Sequence, residues 1–344
     1  MAIRVGVIGS GFGATVHAPA FAFHPAFELV AIASPNRAVA AARDRKIPHA
    51  FASLREMLDG VELDAVSIAS PPFDHHPAVM LALARGKHVL CEKPFALTVD
   101  QAQEMVAASN NAGTVCGVAH EFRFLPQRQA LKELIENAHL GALRHIEVSA
   151  LTSRLRSTER LARSWFFDKR SGGGIAGASL SHHIDAATWL AGRPPRNVTG
   201  LLRTAIRERV DQEGTFSSDA DDGAFATIDY GDGLIARLCV DATLSIDSFV
   251  IAIHGERRTA VSSGKNQLET TLFSVDDEET SELQCSETPY KSLASAAPNL
   301  PPFVALLEQF AAHILTGKSG LPTFEEALQT QRVLATIGYG ASTS

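Results

Sequence analysis

The chain has 344 residues, 45% hydrophobic and 20% charged, with a formal net charge of −7. That suffices for a large core and, at about 100–200 residues per domain, for two domains. No basic block or basic–aromatic stripe invites nucleic acid, no apolar run reaches the roughly 18 residues of a membrane span, and the N-terminus enters a strand without a basic leader or cleavage site, so the expectation is a cytoplasmic protein with a small-molecule substrate.

Ile3-Arg4-Val5-Gly6-Val7-Ile8 reads as a strand, and Ala14-Thr15-Val16-His17 opens an apolar helix. Between them Gly9-Ser10-Gly11-Phe12-Gly13-Ala14 is G-x-G-x-x-A, the fingerprint of a dinucleotide site at the start of a βαβ unit. Gly9 permits the tight turn, Gly11 lets the backbone approach a pyrophosphate, and Ala14 allows close helix–strand packing. With Phe12 and Gly13 these residues are the first candidates for cofactor binding, since the helix N-terminus adds free N–H groups and a partial positive charge.

The second strand, Glu28 to Ala33, ends in Ser34-Pro35-Asn36-Arg37. An acidic residue at that point would hold a ribose 2′-OH. A hydroxyl with a nearby arginine suits a 2′-phosphate better, because charge-assisted bonds to phosphate favour Arg. Ser34, Asn36 and Arg37 therefore favour NADP(H) over NAD(H). The other reading is a plain helix start with Arg37 in solvent.

Asp64 to Ala69 is a further strand, followed by Ser70-Pro71-Pro72, a helix over about 77–85 and Gly86 at its C-terminal end. The run His88-Val89-Leu90-Cys91 is a buried strand, and Glu92-Lys93-Pro94 stands at its end. Open α/β sheets bind ligands at the carboxyl ends of their strands, so Lys93 is placed to meet both cofactor and substrate. Thr98-Val99-Asp100-Gln101 is a capping box for a helix to about Asn111, and Val115 to Val118 is another strand. Strands alternating with helices predict a doubly wound parallel sheet, a Rossmann domain over residues 1–122.

Residues 123–344 read as an α+β domain with a large, mostly antiparallel open sheet. A helix covers about Gln127–Asn137. Strands are expected at His145–Ala150 and Ser248–Gly255, with a hairpin of Gly223–Tyr230 and Leu234–Val240 turning at Gly231-Asp232-Gly233. Asp211 to Asp222 reads as a mobile acidic loop, and Ser286 to Pro302 as an ordered crossing or linker. Apolar helices at about Phe303–Thr316 and Phe324–Tyr339 could return to the first domain. Trp165 could wall a substrate. Arg154, Arg156, Arg160 and Arg163 are either a solvated face or a mark of an anionic substrate group. Cys91, Cys116, Cys239 and Cys285 are scattered and suit reduced thiols. No His/Cys/Asp/Glu group has metal-site spacing, and His75-His76 or His182-His183 cannot both face one site on a strand, so no metal is expected. One sheet face would expose alternating apolar residues, so a homodimer or homotetramer is expected.

Several segments together resemble the glucose–fructose oxidoreductase and inositol dehydrogenase family, Gfo/Idh/MocA. They are Gly6-Val7-Ile8-Gly9-Ser10-Gly11 with His17, Ser70-Pro71-Pro72-Phe73-Asp74-His75, Gly86-Lys87-His88-Val89-Leu90-Cys91-Glu92-Lys93-Pro94, Arg123-Phe124 with Pro126, and Gly172-Gly173-Gly174 with His182 and Asp185. The resemblance implies that Lys93 contacts substrate and nicotinamide ribose, that the Lys93–Pro94 bond is cis, and that His182 is the catalytic histidine. It adds Ser70, Pro71, His75 and Glu92 to the cofactor side, and Arg123, His183 and Asp185 to the substrate side. Taken with the NADP(H) preference read from Ser34 to Arg37, it implies an oxidoreductase acting on a sugar, cyclitol or related polyol or keto compound. The chain departs from the family where Ala178 replaces the usual aspartate four residues before His182, and Leu180 replaces a glycine. The alternatives are a nucleotide-binding sensor that has lost turnover and a reductase of an imine or enol intermediate.

Overall fold

A computed structural model describes residues 2–158, 161–276 and 279–340. The chain forms two compact units, residues 1–124 with 288–328 and residues 125–287 with 329–344.

The first unit alternates β1 (Ile3–Ile8), α1 (Ala18–Phe23), β2 (Phe27–Ala33), α2 (Ala38–Arg45), β3 (His49–Phe51), α3 (Leu54–Gly60), β4 (Ala65–Ile68), α4 (Pro72–Ala84), β5 (His88–Cys91), α5 (Val99–Ala112) and β6 (Cys116–Val118). The six strands are all parallel, in the order β3-β2-β1-β4-β5-β6. This is the strand order of dinucleotide-binding folds. Val5, Val7, Val66, Ile68, Val89 and Leu90 are all fully buried, as expected where helices cover both faces of a parallel sheet. Thr98 caps α5 by accepting from the Gln101 N–H at 3.2 Å, and Gln101 Oε1 reaches back to the Leu97 N–H at 3.1 Å.

Helix α4 begins at Pro72, not near Pro77. Pro72 sits in the first turn, where a missing N–H costs nothing. Pro77 lies inside the helix, where it forfeits one backbone bond.

The second unit contains α6 (Pro126–Glu136), β7 (Leu143–Leu151), α7 (Ser181–Ala191), β8 (Asn197–Arg203), β9 (Glu208–Asp211), β10 (Gly214–Ser217), β11 (Gly223–Asp229), β12 (Ile235–Asp241), β13 (Ser248–Gly255), β14 (Thr259–Asn266), β15 (Glu269–Val275) and β16 (Thr280–Leu283). Eight strands form one sheet, β16-β15-β14-β13-β7-β12-β11-β8, antiparallel except for the parallel pair β7–β12. Residues alternate across it. Ile146, Val148, Ile228, Leu238, Phe249 and Ile251 turn inward and share a core with Ile184, Ala187 and Leu190 of α7. Glu147, Thr227 and Arg237 lie on the opposite face, in a shallow depression with Leu201 and Phe225. Leu201 is 56% exposed.

Residues 211–222 are not irregular throughout, since β10 lies within them and Asp221 and Asp222 are buried. β9 and β10 pair antiparallel across the turn Gln212-Glu213, and Gly214, which pairs with Asp211, has φ +116°. The acidic side chains are hydrogen-bond acceptors. Asp211 accepts from the Arg163 and Glu213 N–H groups, both at 2.9 Å, and Asp222 accepts from Ala205 and Ile206 at 2.8–3.0 Å. Arg154, Arg156 and Arg163 are exposed, and Arg160 lies outside the described residues. The guanidinium of Arg163 covers the Phe216 ring at 5.1 Å. The buried arginine of this region is Arg209, stacked over Phe167 at 4.9 Å and donating to the Leu155 and Ser157 carbonyls.

The segment 286–302 holds a short 3₁₀ turn at Lys291–Ser295 and then enters α8 (Leu300–Thr316), with Pro301 and Pro302 in its first turn. Phe303, Leu307 and Phe310 of α8 join the core of the first unit beside Val5 and Val7. The last helix is α9 (Phe324–Thr336). Among the described residues no helix is long and apolar enough to cross a membrane.

Candidate active site

The glycine loop of the first unit follows β1. Gly9 has φ +113°, and a Cβ there would fall 2.2 Å from the Ala69 carbonyl oxygen. Only glycine fits. Gly11 is the opposite case, since a Cβ there would meet nothing within 4 Å. Its backbone borders open space at the end of the sheet, as pyrophosphate approach requires. At Gly13 a Cβ would lie 3.1 Å from Val7 Cγ1 and 3.2 Å from Ala69 Cβ. Gly13 therefore shares with Ala14 the close packing of helix on strand. Phe12 meets His17 edge-on, with ring centroids 5.6 Å apart.

At the end of β2, Ser34 Oγ lies 2.9 Å from Ser10 Oγ. Asn36 and Arg37 are exposed. α2 starts directly after Arg37, whose carbonyl accepts from the Ala41 N–H at 3.0 Å. The segment is a helix start that also presents two hydroxyls and an arginine, with no carboxylate at positions 34–37.

Beyond β4, Ser70 Oγ is buried without a hydrogen-bond partner. A buried hydroxyl is costly in that state, and it stands beside the glycine loop, where a Cβ on Gly9 would touch Ser70 N at 2.9 Å. The open space over Gly11 and this hydroxyl both fit a bound dinucleotide. Pro71 leads into α4. His75 lies in α4 with Nδ1 2.9 Å from the Pro94 carbonyl and Nε2 2.9 Å from the Ser70 carbonyl. The ring thus sits between two strand-end carbonyls and, in its neutral form, donates its one N–H to one of them. Burial holds the His75 imidazole below the usual histidine range, opposed by those carbonyls and by the charges of Glu92 and Asp74.

Lys93 is half-buried, and the Lys93–Pro94 bond is cis, as the resemblance implies. Glu92 before it is 7% exposed. Its Oε1 pairs with His17 Nε2 at 2.9 Å, and its Oε2 accepts from the Lys93 N–H at 3.1 Å. His17 Nδ1 in turn meets Ser67 Oγ at 2.7 Å. The Phe303 ring lies on His17 at 4.3 Å. Burial pushes the Glu92 carboxyl up, but the His17 bond and charge, the Lys93 charge and the Lys93 N–H together hold it below the ordinary carboxylate range. Sequence reasoning gave His17 no chemical role and overlooked Ser67. The available signal was a histidine and a serine on otherwise apolar faces of a helix and a buried strand. Arg123, also in this unit, is buried and ion-paired to Glu326 at 2.9 Å.

In the second unit His182, His183 and Asp185 are all buried in the first turns of α7. A wider turn, Ala176–Leu180, runs directly into that helix. Asp221 Oδ2 accepts from the Ala176 N–H at 2.7 Å, capping the combined segment. Gly174 has φ +102°, and a Cβ there would lie 2.3 Å from Asp221 Oδ1; a Cβ on Gly173 would lie 2.3 Å from the Phe166 carbonyl. Gly172-Gly173-Gly174 is thus glycine-rich so that the chain can pass beneath Phe166 and Asp221. Burial raises the Asp221 carboxyl to about 6. Arg128 lies 3.4 Å from His183 Nδ1 and donates to Gln267 at 2.9 Å. An arginine only donates, so His183 faces it with an unprotonated Nδ1. Trp165 is 39% exposed beside Phe166. Ala178 continues the helical turn, its N–H donating to the Gly174 carbonyl at 3.2 Å. Among the described residues no cluster of three or more His, Cys, Asp or Glu is placed to hold a metal.

The parallel sheet and its glycine loop define an NAD-binding Rossmann fold. Residues 3–120 match the oxidoreductase family with that fold, and residues 128–261 match the Gfo/Idh/MocA C-terminal domain. The chain belongs to the Gfo/Idh/MocA oxidoreductase family. It is 36% identical to an uncharacterised oxidoreductase of Synechocystis over 61% of this chain and 56% of that one. It is 30% identical to a levoglucosan dehydrogenase of Pseudarthrobacter phenanthrenivorans over 62% and 57%. Those two matches thus span just over half of the relatives' own lengths. A D-glucoside 3-dehydrogenase of Escherichia coli is 31% identical over 71% of each chain. The fold is shared with an oxidoreductase domain protein from Kribbella flavida, with TM-score 0.88, 24% identity and coverage of 98% and 96%.

Proposed function

We propose that the protein is an oxidoreductase that transfers hydride between a nicotinamide cofactor and a carbinol or carbonyl carbon of a sugar, cyclitol or related polyol. The observation that carries this reading is the position of Lys93. It lies two residues past the end of β5, two strands from β1 and its glycine loop in one parallel sheet, where such sheets place their ligands. The names of two relatives, a levoglucosan dehydrogenase and a D-glucoside 3-dehydrogenase, support the sugar class.

The cofactor, when bound, supplies or accepts the hydride. The loop Gly9 to Ala14 holds its pyrophosphate, with Ser70 and Pro71 on the nicotinamide side. Ser34, Asn36 and Arg37 favour the 2′-phosphate of NADP(H). The Lys93 ammonium polarises the substrate oxygen, and His182 relays its proton. Arg123, Trp165, His183 and Asp185 are the proposed substrate-side residues.

A turnover screen of sugars and polyols with both oxidised cofactors tests the proposal. Lys93→Ala should lower kcat by at least about 100-fold, the scale of a positioned acid–base group, while NADPH binding by fluorescence persists. The second reading, a nucleotide-binding regulator, draws on Ala178, which brings no carboxylate to the turn before His182. It predicts NADP(H) binding without turnover on any of the panel, and that result would replace the enzymatic reading.

A further inference from the structure

Residues 172–181 lead to His182 and carry no ionisable side chain. Ala178 is part of that run, so the turn has no carboxylate of its own. The wider turn Ala176–Leu180 opens at Ile175, whose side chain makes no cap. Turns of this width are frequent at functional sites. The N–H groups at the start of a helical segment need acceptors from elsewhere, and Asp221, 45 positions along the chain from Ala176, supplies two. Its Oδ2 accepts from the Ala176 N–H at 2.7 Å, and its main-chain carbonyl accepts from the Ile175 N–H at 2.9 Å. Asp221 is 5% exposed, and it closes over Gly174, where a Cβ would fall 2.3 Å from Oδ1. At the other end of the turn, Ser181 Oγ donates to the Gly177 carbonyl at 2.7 Å. Ser181 is fully buried and directly precedes His182. A continuous set of bonds thus runs from Asp221 through Ala176 and Gly177 to the residue before His182.

We infer that Asp221 is a positioning residue for His182: it fixes the start of the turn Ala176–Leu180, and the turn, tied to Ser181, then presents the His182 ring in one orientation. The direction of a helical side chain follows from the backbone that carries it, so a shift of the turn moves the ring with it. A misplacement of about 1 Å, even from a change far from the chemistry, can cost about 100-fold in rate. A merely structural cap would lower Tm when removed. It would leave the turnover of the folded protein and the surroundings of the His182 ring unchanged.

The bearing of Asp221 on catalysis rests on the reading of His182 as the proton relay, so the test has one arm with turnover and one without. In the first, kcat is measured well below Tm with a substrate from the panel. Asp221→Ala should lower kcat about 10- to 100-fold, with the KM for the cofactor unchanged. Asp221→Asn keeps a carbonyl that can accept from the Ala176 N–H, and it should restore kcat to within about threefold of the parent, since Asn and Asp are comparable caps. In the second arm, the intact protein is isotopically labelled at histidine Cε1, and the His182 resonance is assigned by its absence in His182→Gln. At fixed pH, Asp221→Ala should shift or broaden that resonance. Asp221→Asn, which removes the same charge but keeps the carbonyl, should leave it at the parental position. Asp221→Ser, whose oxygen is one bond nearer the backbone and falls short of Ala176, should act as Asp221→Ala does, and it serves if that variant does not fold. Parental kcat in Asp221→Ala overturns the inference. So does a His182 resonance that Asp221→Ala leaves in place, or that Asp221→Asn moves as far. A parent without turnover on the panel removes the enzymatic reading, and the resonance alone then decides the positioning.

Discussion

Ser10 Oγ and Ser34 Oγ lie 2.9 Å apart and join the glycine loop to the end of β2. That contact puts a pair of hydroxyls, with Arg37 three residues on, at the strand end where an NAD-specific fold would place a carboxylate. NADPH should therefore bind at least about tenfold tighter than NADH, roughly 1.4 kcal/mol. Arg37→Ala should remove most of that preference and Ser34→Asp should reverse it. Fluorescence titration decides the matter, and equal affinities in the parent would exclude the NADP(H) assignment.

The two glycines of the loop should fail in different ways. A Cβ on Gly9 runs into the Ala69 carbonyl, whereas one on Gly11 enters open space. Gly9→Ala should lower thermal stability measurably even in the absence of cofactor. Gly11→Ala should fold with nearly parental Tm and lose cofactor affinity, because the added methyl occupies the approach of the pyrophosphate. Calorimetry with and without NADPH separates the two. A Gly11→Ala protein that binds as tightly as the parent would show that the cofactor does not lie against that backbone.

Asp221 gives a pH signature. Burial lifts its folded-state value to about 6 from the ordinary 3.8. The folded protein then binds this proton more tightly than the unfolded chain does. The associated stability is fully present below about pH 4 and is lost as pH rises through about 6, on the order of 3 kcal/mol. Asp221→Asn keeps a carbonyl to accept the Ala176 N–H but has no charge to desolvate. Its Tm should equal or exceed the parent's at pH 8, with a flatter dependence between pH 4 and 6. A variant that loses more stability at pH 8 than at pH 5 would contradict this account.

The open face of the large sheet carries Leu201, 56% exposed, beside Phe225. We propose that this face is covered by a second copy of the chain in a homodimer or homotetramer, as apolar patches on sheets commonly are. Leu201→Arg should then reduce the mass seen by light scattering at micromolar concentration. A parent protein that is already monomeric there would remove the proposal.

Most of the parallel sheet and four strands of the large one, β7, β11, β12 and β13, were legible in the sequence because burial leaves a period, whereas β8, β14, β15 and β16 were not read there. β1, β4 and β5 are short apolar runs buried on both faces, and β11 and β12 alternate around Gly231-Asp232-Gly233. β3 and α2 left no such trace. His49-Ala50-Phe51 is too short for alternation, and Ala38 to Arg45 is rich in alanine and charge without an apolar stripe. Asp211 to Asp222 misled for another reason. A buried carboxylate that accepts backbone N–H groups has the same letter as a solvated one, and only the tertiary fold tells them apart. In the candidate site, Gly9, Gly11 and Lys93 could be read from local pattern. The Ser67–His17–Glu92 chain could not, because it joins residues that are 50 and 75 positions apart.

The parallel seam in the second unit has a consequence for how this protein is made. β7 is flanked by β12 and β13, and the whole stretch from Thr152 to Leu234 must be synthesised before the first of them exists. At about 5–20 residues per second, the central strand waits several seconds for either neighbour, its Ile146 and Val148 face uncovered. A ribosome stalled anywhere between β7 and β12 would display a nascent chain with an unpaired apolar strand. Such chains, more than the finished protein, carry the unpaired apolar strand that invites aggregation.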